Sequence, residues 1–121
     1  MGADTFITAF QGKTAQAAFG EAISQARYEY GHRGYTGTIA EKHDFIVIKD
    51  KPEDVLKKYA GQLQSWTMKD LVSEDATARA RGIATALLDA DDERISDKWG
   101  PAGCIQVEGT ERFIFFGWAS S

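Results

Sequence analysis

Aromatic and β-branched residues open the chain, and Thr5, Phe6, Ile7, Thr8, Ala9 and Phe10 predict a first strand. Gln11, Gly12 and Lys13 then predict a turn, and Thr14 a helix N-cap, because its hydroxyl can accept from a free N–H of the first turn. Ala15, Ala18, Phe19, Ala22, Ile23, Ala26 and Tyr30 recur at helical spacing, which predicts a helix over 15–30 ending on Gly31. Residues 38–49 carry Ile39, Phe45, Ile46, Val47 and Ile48 and predict a second strand, bent around Lys42, His43 and Asp44. Pro52 suits a first helical turn, with Val55, Leu56, Tyr59 and Leu63 as its apolar stripe. Thr67 and Asp70 fit a capping-box spacing, so a short helical turn is expected there. A further helix over 73–89 has the stripe Ala80, Ile83, Ala84, Leu87 and Leu88. The acidic residues of 89–97 read as a solvated loop. Strands over 103–108 and 112–118 flank Gly109, Thr110 and Glu111 as a hairpin.

The order β-α-β-α-α-β-β predicts an α+β fold: a two-layer sandwich with a mainly antiparallel four-stranded sheet and helices on one face. The relative direction of the first two strands stays open. In the last strand Phe113 and Phe115 point opposite to Ile114 and Phe116. With helices on one face only, the other apolar face implies a homo-oligomeric contact. At 121 residues the chain predicts a single domain, 1–121, with enough core to fold without a disulfide or metal. The lone Cys104 excludes an internal disulfide and a cysteine-based zinc site. A net charge of −4 argues against nucleic acid as a partner, since phosphate binding needs a basic surface. No apolar run approaches the ~18 residues of a membrane span. Met1, Gly2, Ala3 and Asp4 lack a basic start and an apolar signal core, so a cytoplasmic location is expected.

Gly12, Lys13 and Thr14 sit between strand and helix as a phosphate loop would. Ile7 stands where a Walker glycine belongs, so a capped turn is the better reading. The richest stretch is 28–43. Its glycines permit close approach of backbone to a ligand, and around them stand groups suited to gripping phosphate or ribose and stacking a base. The candidate ligand-binding residues are Tyr28, His32, Arg33, Tyr35, Thr36, Lys42 and His43, joined by Trp99 from the Gly-Pro segment before the hairpin. Arg33 and Lys42 would pair with phosphate, and Tyr35 or Trp99 would stack. The competing reading is a helix cap followed by a loop whose tyrosines complete the core. His32 and His43 match no metal-binding pattern, so neither metal nor cofactor is expected. No nucleophile stands in a recognisable motif, and no catalytic residue is assigned. Residues 89–94 look faintly like a calcium loop, but Arg94 takes the glycine position.

Two stretches, YGHRGYTGTIAEK at 30–42 and DKWGPAG at 97–103 with the closing FFGWAS at 115–120, resemble a group of small bacteriophage-encoded proteins of unassigned activity. The resemblance implies a phage accessory protein in the host cytoplasm. The function expected from these residues is non-enzymatic: sequestration of a phosphorylated, nucleotide-derived small molecule at the glycine-rich loop. Two alternatives stand beside it. One is a protein–protein inhibitor of a host protein, using the acidic face and exposed aromatics. The other is a small phosphoester or glycosidic-bond enzyme with His32 or His43 as base.

Overall fold

Local signals place most of the elements. A computed structural model describes residues 2–31 and 34–121. It gives strand β1 at Ala3–Gln11, helix α1 at Ala15–Tyr30, a 3₁₀ turn at Ile39–Glu41 and strand β2 at Phe45–Val47. Helices α2 (Pro52–Tyr59), α3 (Ser65–Leu71) and α4 (Ala76–Asp89) follow, then strands β3 (Ala102–Gln106) and β4 (Arg112–Ser120). The Thr14 hydroxyl accepts from the Ala17 N–H at 3.1 Å, and Gly31, at φ 86°, donates to the Arg27 carbonyl at 2.8 Å. The helix expected over 73–89 starts later. Asp75 caps it by accepting from Ala78, and the preceding α3 is separate. The long second strand is not formed. Ile39 and Ala40 are buried in the 3₁₀ turn, which Thr38 caps, and only three residues pair as β2.

The α+β class holds, and the sheet is mixed. Its order is β1-β4-β3-β2, with β1–β4 and β3–β4 antiparallel and β2–β3 parallel. β1 and β2 therefore run the same way at opposite edges. Helices lie on both faces, which corrects the expectation of one. On one face, Ala18, Phe19, Ala22 and Ala26 of α1 pack with Phe113, Phe115 and Cys104. On the other, Ala80, Ile83, Ala84 and Leu87 of α4 pack with Ile105, Ile114 and Phe116, and Val55 and Leu71 close that layer. The chain's path explains the arrangement. Parallel crossovers are right-handed. The first, through α1, carries the chain across the sheet from β1 to β2. The second, through α2 to α4, returns it to β3, so the same hand puts its helices on the opposite face.

Both faces of β4 are thereby covered. The open apolar face of β4 that implied an oligomer does not exist: Phe113, Ile114, Phe115 and Phe116 are all buried. Close packing also fixes Gly103, because a Cβ there would fall 2.4 Å from the Phe116 ring. The α1 layer and the turns beside it carry the candidate site.

Candidate functional site at the glycine-rich loop and the turn before β3

The loop after α1 is shaped by left-handed backbone at Gly34 (φ 81°), Tyr35 (φ 56°) and Gly37 (φ 70°). At Gly37 the left-handed backbone favours glycine, and a Cβ would also crowd the Asp4 and Ser121 side chains at 3.2 Å, while the Gly37 N–H donates to the Ser120 carbonyl at 2.7 Å. Glu41 holds the loop from below. One of its oxygens accepts from the Thr36 hydroxyl at 2.7 Å and the Thr36 N–H at 3.2 Å. Thr36 and Thr38 share a hydroxyl bond of 2.8 Å, and Thr38 accepts from the Ala40 N–H. Burial pushes the Glu41 carboxyl up, but the Thr36 bonds and the nearby His43 outweigh it, and its pKa lies below the ordinary value.

Lys42 has a different place from the one expected. It is 2% exposed, and its ammonium donates to the carbonyls of Asp97 (3.3 Å), Lys98 (3.3 Å) and Gly100 (2.9 Å). Three protons meet three carbonyls, so none remains for a phosphate. Burial lowers its pKa, and the charge of Asp97 partly opposes the shift. Lys42 is thus a strut beneath the turn that presents Trp99, which corrects its assignment as a phosphate partner.

That turn carries the aromatic feature of the site. Trp99 is 63% exposed and Tyr35 51%, and their rings meet edge to face at 6.2 Å and 87°. The Lys98 ammonium lies 5.4 Å from the Trp99 ring centre and donates to the Gly2 carbonyl. The Trp99 backbone N–H donates to the Asp97 carboxylate at 2.9 Å. A cavity of about 360 Å³ opens along the same loop, lined by Arg27, Gly31, Gly34, Ala40, Glu41 and His43.

The structure brings Tyr35 and Trp99 together. It places Thr36 on the Glu41 carboxylate and exposes His43 at the cavity rim. Tyr28 stands on α1, 86% exposed and outside that cavity's lining. The expectations for His32 and Arg33 lie outside the described residues. Arg27 and Lys98 were missed. Arg27 could have been found four residues before the cap glycine on the last turn of α1, and Lys98 by its adjacency to Trp99.

The acidic segment after α4 is not a solvated loop. The Arg94 guanidinium grips Asp50 through two bonds of 3.0 and 2.9 Å, and Asp92 through bonds of 2.9 and 3.1 Å. Tyr59 donates its hydroxyl to Asp92, and Asp89 accepts from Thr67 at 3.0 Å. Ile95 is buried in the α4 core. The Asp92 carboxyl is held far below the usual range, by the Arg94 bonds first and, against the cost of burial, by Tyr59 as well. This cluster is a structural clamp.

Burial pushes the Cys104 thiol up to about 12, too high for a nucleophile at neutral pH. Among the described residues no three His, Cys, Asp or Glu side chains gather as a metal site would, and no helix is long and apolar enough to cross a membrane. No protein-family model, no curated protein and no solved structure matches the chain.

Proposed function

We propose that the chain binds a phosphorylated, nucleotide-derived small molecule at the glycine-rich loop and sequesters it without turnover, as an accessory protein of the phage kind its motifs resemble. The observation that carries this reading is the exposed Tyr35–Trp99 pair, held over a turn that a buried lysine braces from within. Large aromatic surface is ordinarily buried. Here a buried ammonium and a left-handed tyrosine keep two rings at the surface beside Lys98, while Arg27 and His43 line the cavity along the same glycine-rich loop. A flat ring stacked on an aromatic, with an anion beside cations, is the chemistry of a nucleotide. Lys98, beside the Trp99 ring, takes the phosphate role first given to Lys42, with Arg33 as the second cation expected from the sequence.

A thermal-shift screen against nucleotides, cyclic nucleotides and ADP-ribose derivatives tests the proposal. A ligand that binds only the folded state at a hundredfold excess over its Kd adds about 2.7 kcal/mol of stability. The expected result is a hit that Trp99→Ala and Lys98→Ala each weaken and that leaves the ligand chemically intact. A flat screen overturns the reading for these ligands. A hit with turnover favours the enzyme alternative, with His43 at the cavity rim as the first base to replace.

A second reading, inhibition of a host protein, rests on a separate patch. Trp66 (62% exposed) and Val72 (69%) stand out from α3 and the residue after it, and exposed tryptophans anchor many interfaces. Charge reversal to test this reading belongs at the exposed Asp91 and Glu93, because Asp89 and Asp92 are spent inside the fold.

A further inference from the structure

The two edges of the sheet are built differently. β2 closes one edge with three residues, bracketed by His43, Asp44, Lys49, Asp50 and Lys51. A short strand among charges is a common defence against edge pairing. β1 closes the other edge with nine residues, no proline, one charge (Asp4) and an unbroken register against β4 from Ala3–Ser120 to Gln11–Arg112. Beyond Asp4, near its start, those defences are absent along it. Among the described residues no strand pairs with its outer side.

The hydrogen bonds show which groups that outer side offers. Gly2 and Ser121 exchange both backbone bonds, and the Gly12 N–H donates to Glu111. Alternate residues of an antiparallel strand bond to one neighbour. The even positions of β1 therefore bond β4, and Ala3, Thr5, Ile7, Ala9 and Gln11 direct their N–H and C=O groups outward. Their side chains share the sheet face that α4 covers at β4, but no β1 residue belongs to the core around α4. Ile7 is 40% exposed, and Thr5, Ala9 and Gln11 are exposed too.

We infer that β1 pairs antiparallel with β1 of a second copy about a two-fold axis at Ile7, joining two four-stranded sheets edge to edge. In this register Ile7 faces Ile7, Thr5 faces Ala9 and Ala3 faces Gln11. All five outward residues are hydrogen-bonded, and each of the five pairs exchanges two bonds. The side chains agree with the backbone. Asp4 faces Phe10 of the other copy, so the one charge on the strand never meets its like, and Phe6 faces Thr8. A cavity of about 440 Å³ runs beside this edge between β1 and α1, lined by Phe6, Phe10, Ala22 and Gln25 among others, and leaves room for the second copy's side chains on that face. An isologous contact of this kind needs only one self-complementary patch.

Because position 7 faces itself, charge tests both the edge and the register. Sedimentation equilibrium of the full chain across the micromolar range is expected to show a dimer. Ile7→Lys and Ile7→Glu should each give a folded monomer, since the side chain is 40% exposed in one copy and two like charges would meet at the axis. Mixing the two variants should restore a dimer holding one chain of each, read by native mass spectrometry. A defect in folding alone would not be repaired by mixing. A monomeric wild type, or a dimer that survives Ile7→Lys, overturns the edge contact. Monomeric variants that stay apart on mixing overturn the register.

Discussion

Two cations hold the segment between α4 and β3, and they do so by opposite means. Arg94 lies within the segment and is a third exposed, and it is neutralised by two carboxylates, Asp50 from after β2 and Asp92 two residues before it. Lys42 reaches the segment from the 3₁₀ turn, is almost wholly buried, and gives its hydrogen bonds only to neutral carbonyls. Arg94's partners raise its pKa, whereas Lys42's surroundings lower its own. The planar guanidinium serves two carboxylates at once, whereas the compact ammonium fits the concave backbone of a turn. One clamp secures the α4 layer and the other shapes the aromatic surface, so their removal should have different consequences.

The largest effect is expected at the arginine. Arg94→Met leaves Asp92 buried with only Tyr59 as a side-chain partner, and leaves Asp50 without its bidentate partner. Breaking a buried pair costs about 3–5 kcal/mol, and the solvent on one side of Arg94 reduces this to about 3. A fall in Tm of roughly 10 °C should follow, with the Trp99 environment unchanged below the transition. A melt like that of the wild type would show that the clamp contributes nothing net.

Lys42→Met should cost less, about 2 kcal/mol, because the Asp97 carbonyl keeps its bond from the Gly100 N–H and the methionine fills the stem's place. Its effect should be local. The Trp99 indole resonance should move or broaden in the native state, and ligand affinity should fall even though Lys42 never reaches the ligand. An unmoved Trp99 resonance would break the link between the strut and the aromatic surface.

These two residues also show what the sequence hides. Thr14, Gly31 and the turn at Gly109 made α1 and the hairpin legible, because caps and turns are local chemistry. The layer arrangement was not legible, since it follows from strand order, which no window of residues contains. The run Phe113, Ile114, Phe115, Phe116 did carry a signal: apolar residues on both faces of a strand mean cover on both faces. At the site, Tyr35 and Trp99 were legible as exposed chemistry on glycine-rich turns. Lys42 was not, because a lysine in a polar loop looks the same whether it faces solvent or a ring of carbonyls 55 to 58 residues away. Arg94 looked like an interruption of an acidic loop and is its organising charge.

Titration should separate the clamps by sign. Asp92 and Asp50 both have pKa values held below the ordinary one, each by Arg94's hydrogen bonds first. A carboxylate with a depressed folded pKa contributes stability that is present above the unfolded value near 3.9 and is lost as pH falls through the folded value. The wild type should therefore lose stability steeply below about pH 4, and Asp92→Asn should flatten that loss. Lys42 works at the other end. Its folded pKa is lowered, so between that value and about 10.4 the unfolded chain binds more protons, and this group's contribution to stability rises with pH. Comparing Lys42→Met with wild type in urea at neutral and alkaline pH should show the gap between them widening with pH. A gap that is constant or narrows would mean that the carbonyl cage overcomes the burial.

The smallest effect on stability is expected where the effect on binding is largest. Trp99 is 63% exposed, and its ring touches Tyr35 at an edge, so Trp99→Ala should change stability by no more than about 0.5 kcal/mol. A stacked base is worth about 1–3 kcal/mol, so the same substitution should weaken a nucleotide-derived ligand roughly tenfold or more. Trp99→Phe, which keeps a smaller face, should recover part of it. Isothermal titration on variants of matched Tm reads this difference directly. If Trp99→Ala instead destabilised the protein as Lys42→Met does, and left affinity intact, the tryptophan would belong to the strut's side of the comparison. The turn would then be held for the fold's sake and not for a ligand's.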